Sequence, residues 1–131
     1  MADRAPGARD LILVVEDEPG IRDGLAMLLG LEGYAVATAA NGLEALDALA
    51  TMAVDLVITD QMMPRMDGVA FLHRLRADDR LRALPAIMVS AVPRPQEDVG
   101  TLADAFIGKP FEAPRLLQAI RDLLARRGSP A

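Results

Sequence analysis

The sequence predicts a doubly wound α/β domain, a five-stranded parallel sheet covered by helices on both faces. Three observations predict it. Five short apolar runs alternate with segments whose apolar residues recur at helical spacing. Strands that alternate with helices are joined by right-handed crossovers, so they run parallel and are buried on both sides. Four of the runs close on a charged or hydroxyl residue, as strands do where a parallel sheet presents its ligand-binding edge. The 131 residues suffice for one domain that buries roughly two-thirds of its unfolded surface.

Met1 to Arg9, with Pro6-Gly7, reads as a flexible leader, residues 10–125 as the domain, and residues 126–131 as a flexible tail. Leu11 to Val15 is the first strand, ending at Glu16-Asp17-Glu18-Pro19. Acids followed by proline start a helix, and Ile21, Leu25, Leu28 and Leu29 give it an apolar stripe up to Gly30 and Gly33. Tyr34 to Thr38 is a short second strand. Asn41 with Glu44 resembles a capping box, and Leu43, Leu46, Leu49 and Ala50 are the expected inward face of the second helix. Val54 to Thr59 is the third strand, with Asp60 at its end and Pro64 and Asp67-Gly68 stiffening the loop beyond. The third helix runs from about Gly68 to Asp78 with Val69, Leu72 and Leu75 inward, leaving the single histidine, His73, on the solvated side. Ala86 to Ser90 is the fourth strand and Ala105-Phe106-Ile107 the fifth, closed by Gly108-Lys109-Pro110-Phe111. Pro114 to about Ala125 forms the last helix on Leu116, Leu117, Ile120, Leu123 and Leu124.

Composition excludes several classes. The chain has no cysteine, so disulfide frames, thiol catalysis and Cys-ligated metals drop out. No apolar run approaches the ~18 residues of a membrane span, and the start lacks a signal peptide, so the expectation is a soluble cytoplasmic protein. A net charge of -5 argues against a dedicated nucleic-acid surface. Of the 14 basic residues only Lys109 is lysine, which points to a place wanting a compact ammonium instead of a planar fork.

Glu16-Asp17, Asp60, Ser90 and Lys109 each close an apolar strand, and parallel strands all end on one side. The groups therefore converge if those strands are neighbours. Clustered carboxylates repel, and a hard divalent cation such as Mg²⁺ resolves the repulsion while keeping a position open for a phosphate oxygen. Lys109 and Ser90 are placed to neutralise and hydrogen-bond the other phosphate oxygens. The chemistry that fits is attack by Asp60 on phosphorus, giving an aspartyl phosphate.

The acidic pair, the Asp60 stretch with Met63-Pro64 and Met66-Asp67-Gly68, Ser90-Ala91, and Phe106 followed by Lys109-Pro110-Phe111 together resemble a response regulator receiver domain, over about residues 10 to 125. The resemblance implies a flavodoxin-like (βα)5 fold with Asp60 as phosphoacceptor. It further implies Mg²⁺ (or Mn²⁺) on Asp17 and Asp60, with Glu16 acting through water and Met62 through its backbone carbonyl. Lys109 and Ser90 would contact the phosphoryl group, Ser90 and Phe106 would switch, and the bond before Pro110 would be cis. The implied donor is a sensor histidine kinase or a histidine phosphotransfer protein, and the output is an unknown downstream protein. The implied form is a monomer or weak dimer that catalyses only its own phosphorylation and dephosphorylation. The alternatives are a receiver-like module acting without phosphorylation, a receiver excised from a larger regulator or hybrid kinase, and a hydrolase with an aspartyl-phosphate intermediate.

The sequence departs from the family pattern after the fourth strand. Pro93 and Pro95 forbid helix there, at about 3 kcal/mol for an interior proline, so the fourth helix is confined to Gln96 to about Leu102 and weakened by Gly100. The expectation is a short or irregular fourth helix whose surroundings, residues 91 to 103, change order between states.

Overall fold

The computed structural model describes residues 9–91 and 99–128. Five parallel strands form one sheet: β1 (Leu11–Val15), β2 (Ala35–Ala39), β3 (Leu56–Asp60), β4 (Ala86–Ser90) and β5 (Ala105–Gly108), in the order β2-β1-β3-β4-β5. Helices α1 (Pro19–Leu31), α2 (Gly42–Thr51), α3 (Gly68–Ala77), α4 (Val99–Leu102) and α5 (Ala113–Gly128) complete the doubly wound architecture. The strand order reverses between β1 and β3, which leaves a crevice at their carboxyl ends.

Side-chain alternation along each strand divides the core into two layers. Leu13, Val57 and Met88 point to one layer and meet Ala45, Leu49, Phe71, Leu72 and Leu75. Ile12, Val14, Ile58 and Ile87 point to the other and meet Leu29, Leu116, Ile120 and Leu123. β3 and β4 are buried at every position, so these two strands supply the least movable platform for whatever stands at their ends. Full burial of each such aliphatic side chain stabilises by roughly 1.5–3 kcal/mol.

The helix ends follow from local chemistry. Asn41 Oδ1 accepts from the Glu44 N–H at 3.0 Å, and Glu44 Oε1 accepts from the Ala40 N–H at 2.9 Å, one residue earlier than an ideal capping box. Asp67 caps α3 by accepting from the Ala70 N–H at 2.8 Å. Glu18 caps α1 through the Gly20 N–H, and Gly33, with φ of 98°, ends that helix in a Schellman arrangement: Tyr34 N–H to Leu29 O and Gly33 N–H to Gly30 O, both 3.1 Å.

The structure corrects several sequence expectations. Ile21, Leu43 and Ala50 face outward, while Ala45 and Phe71 hold buried positions that the stripes did not include. A helix rich in Leu and Ala satisfies the spacing rule in two phases, and packing against the sheet and the neighbouring helix decides between them. The last helix begins at Ala113 and continues to Gly128, past the expected end at Ala125, since nothing between Ala125 and Gly128 breaks it. Among the described residues the fourth helix is a single turn, Val99–Leu102; the rest of its expected span, and most of the segment expected to change order, lie outside the described residues. No described helix is long and apolar enough to cross a membrane.

Candidate functional site

The register brings the expected residues together. Val15 pairs with Thr59, so Glu16 leaves β1 beside Asp60 at the end of β3. Asp60 pairs with Val89 and Ser90 with Gly108, so Lys109 leaves β5 beside Ser90, whose carbonyl accepts from the Lys109 N–H at 2.7 Å. From there the Lys109 side chain crosses the strand ends. Its Nζ lies 3.2 Å from Glu16 Oε1 and 3.3 Å from Asp60 Oδ1.

Glu16, Asp17 and Asp60 each offer a carboxylate oxygen within 4.8 Å of the others'. Glu16 is 2% exposed and Asp60 8% exposed, whereas Asp17 is open to solvent, so the cluster is walled on one side and accessible on the other. Backbone groups hold the two buried acids: Gln61 N–H donates to Asp60 Oδ1 at 2.9 Å and Glu18 N–H to Glu16 Oε2 at 3.2 Å. Arg22 donates to the Glu16 carbonyl at 2.9 Å. A hard-oxygen trio with an open side suits a divalent cation such as Mg²⁺.

The electrostatics express the same crowding. Burial raises the Glu16 pKa and the Asp60 charge adds to it, against the Glu18 N–H and Lys109, which lower it; the net shift is upward. Burial alone would lower the Lys109 pKa, but the hydrogen bond to Glu16 and the charge of Asp60 carry it above the ordinary lysine value.

The remaining expected residues take separate places. Ser90 is fully buried at the end of β4. Phe106, half-buried, pairs with Met88 in the register and packs against the layer that α2 and α3 cover. Met62 is 63% exposed at the rim, and the Lys109-Pro110 peptide bond is cis. His73 is exposed on α3.

Sequence reasoning missed three parts of the site. A Cβ at Gly68 would collide with the Asp60 carbonyl oxygen and come within 3.0 Å of Gln61 Cα, so Gly68 lets α3 start directly against the end of β3. Arg65 has φ of 71° inside a γ-turn closed by Met66 N–H to Pro64 O at 2.8 Å, a conformation that no preference of arginine announces. Gln61 is buried behind Asp60 although its residue type suggests a surface. Asp67-Gly68 did carry a signal, read there only as a turn and helix start.

A family model for the response regulator receiver domain matches residues 12–121. Response regulator Rre1 of Synechocystis sp. is 40% identical over 120 residues, 88% of this chain and 52% of its own length. This chain thus spans about half the length of the curated relatives it matches. Among solved structures, the signal receiver domain of a signal transduction histidine kinase from Syntrophus aciditrophicus is similar with a TM-score of 0.85 at 34% identity, covering 93% of this chain and 95% of that one. Response regulator TrrA from Thermotoga maritima, solved in complex with Mg²⁺-BeF, has a TM-score of 0.80 at 34% identity, covering 87% and 98%. With sheet order, acidic edge and family match in agreement, the chain belongs to the response regulator receiver domain family, a signalling module of two-component systems.

Proposed function

We propose that this chain is a phosphorylation-controlled switch in which Asp60 accepts a phosphoryl group from a phosphohistidine donor. The observation that carries the reading is the shared grip of Lys109, 3.3 Å from Asp60 and 3.2 Å from Glu16, beside an acidic cluster with one open side. An Asp60 carboxylate oxygen attacks phosphorus in line. The new P–O bond forms as the P–N bond breaks, and the bonding pair returns to the imidazole nitrogen of the donor. Asp17 and Asp60 would hold Mg²⁺ (or Mn²⁺) directly, Glu16 through water, and Met62 through its backbone carbonyl. When bound, the ion supplies charge compensation for the phosphoryl oxygens.

Lys109 exchanges its contact with Asp60 for one with the new phosphoryl group, and Ser90 donates its hydroxyl to a phosphoryl oxygen. Phe106 then turns inward, and the surface beyond β4 and β5 changes what it binds. The donor is a sensor histidine kinase or a histidine phosphotransfer protein, and the recipient of the signal is a downstream protein. Residues 10–125 make up the working unit, a cytoplasmic monomer or weak dimer that catalyses its own phosphorylation and dephosphorylation and touches no nucleic acid itself.

Phosphate-affinity electrophoresis after treatment with acetyl phosphate and Mg²⁺ tests the reading. The parent shows a retarded band, and Asp60→Asn does not; a band retained in Asp60→Asn removes Asp60 from the role.

A further inference from the structure

Gln61 follows Asp60, is 2% exposed, and buries a side-chain Oε1 that has no hydrogen-bond donor among the described residues. A buried acceptor left without a donor carries its desolvation cost uncompensated. The backbone cannot relieve it. Gln61 N–H is directed at Asp60 Oδ1 and Val89 O, at 2.9 and 3.1 Å, and Gln61 O accepts from the Gly68 N–H at 2.8 Å. Gly68 also packs so closely that any Cβ there would crowd Gln61 Cα at 3.0 Å. Relief therefore has to come from a neighbour. The register that pairs Asp60 with Val89 puts Gln61 next to Ser90 across β3 and β4. Gln61 is the first residue past the end of β3, and its N–H still reaches Val89 O at 3.1 Å, one residue before Ser90 at the end of β4.

We infer that the Gln61 side-chain carbonyl is a built-in bias on the switch, unpaired in the unmodified domain and given a donor when the end of β4 rearranges after Asp60 is phosphorylated. The inference rests on the phosphorylation reading above. The two arrangements differ by one satisfied acceptor, so the residue disfavours the unmodified arrangement and lowers the cost of leaving it. Gln61 itself touches no phosphoryl oxygen; it acts through Asp60 and Ser90 as a positioning residue.

The near-isosteric Gln61→Leu and the unbranched Gln61→Met remove the acceptor and keep the volume. In EDTA both variants melt above the parent, and with Mg²⁺ both bind beryllofluoride about tenfold more weakly than the parent does. A residue that only filled space would move the melting temperature and leave beryllofluoride affinity alone. Equal affinity in parent and variants overturns the inference while leaving the phosphorylation reading intact, and so does a lower melting temperature in both variants, which would mean that the acceptor is already satisfied. A parent that binds no beryllofluoride overturns both. Should neither variant fold, the carbon-13 resonance of the Gln61 side-chain carbonyl in the parent decides: a downfield move on adding Mg²⁺ and beryllofluoride supports the new hydrogen bond, and an unmoved resonance overturns it.

Discussion

The Arg76 guanidinium donates to the Asp104 carboxylate at 3.2 Å, joining the last turn of α3 to the residue that leads into β5. The same side chain donates to Leu102 O at 2.8 Å, Leu84 O at 2.7 Å and Arg82 O at 3.0 Å. Asp104 in turn accepts from the Ala86 N–H at 2.8 Å. One cation thus ties the end of α4 to the starts of β4 and β5. The carboxyl ends of those two strands carry Ser90 and lead into Lys109, so this corner lies at the end of the sheet opposite the acidic cluster.

Replacing Arg76 by methionine keeps part of the apolar stem and removes every one of these donors. The ion pair contributes little, because the Asp104 side chain is 42% exposed. The three carbonyl bonds matter more, since Leu102 O lies in the last turn of a helix, where carbonyls have no intrahelical donor and Arg76 Nε supplies one. Arg76→Met is expected to lose about 2 kcal/mol in urea unfolding, and Asp104→Asn less than about 1 kcal/mol. Equal losses in the two variants would mean that the ion pair, not the carbonyl clamp, holds this corner.

Lys109 is the internal counter-charge of the acidic cluster, with Glu16 and Asp60 both within 3.3 Å of its Nζ. Lys109→Met leaves those carboxylates facing each other. In EDTA this variant should melt below the parent. Millimolar Mg²⁺ should then raise its melting temperature by more than it raises the parent's, because a divalent ion restores the missing charge. A smaller Mg²⁺ response in Lys109→Met than in the parent would show that the lysine does not play that part.

The sheet edge was readable in advance because Asp60, Ser90 and Lys109 each end an apolar run, and parallel connectivity puts such ends on one side. The supporting parts were not, for identifiable reasons. Ala45 and Leu43 both fit a helical stripe, and only the packing of α2 in the layer with Phe71, Leu72 and Leu75 shows that Ala45 is the buried one. Arg76 clamps carbonyls of residues up to 26 positions away, and carbonyls carry no residue-type signal. Gln61 looks like a surface residue until the register puts it beside Ser90.

The raised pKa of Glu16 gives a pH dependence with a definite sign. Burial and the Asp60 charge make the folded state hold a proton that the unfolded chain releases near 4.5. The contribution of this group is therefore complete below about pH 4.5 and lost as pH rises through the higher folded value. Glu16→Gln cannot lose it. In Mg²⁺-free buffer the melting temperature of Glu16→Gln should gain on the parent's as pH climbs from 4.5 and hold its lead at neutrality, while Mg²⁺ stabilises the variant less. A difference between the two that does not change with pH would contradict the upward shift.

Two glycine substitutions should act with opposite sign. Gly68 begins α3 where any Cβ meets backbone, the Asp60 carbonyl oxygen and Gln61 Cα, neither of which is the free end of a side chain. Gly68→Ala should therefore cost at least the 1–3 kcal/mol typical of overpacking, about 3 kcal/mol in urea unfolding. It should also lower acetyl phosphate labelling, because the displaced backbone is that of Asp60 itself. Gly24 lies inside α1, and a Cβ there meets nothing within 4 Å. Gly24→Ala gains helix propensity without a clash, and an increase of about 0.5–1 kcal/mol is expected with labelling unchanged. If both alanines shifted stability in the same direction, the close approach of α3 to the end of β3 would not be what demands glycine at position 68.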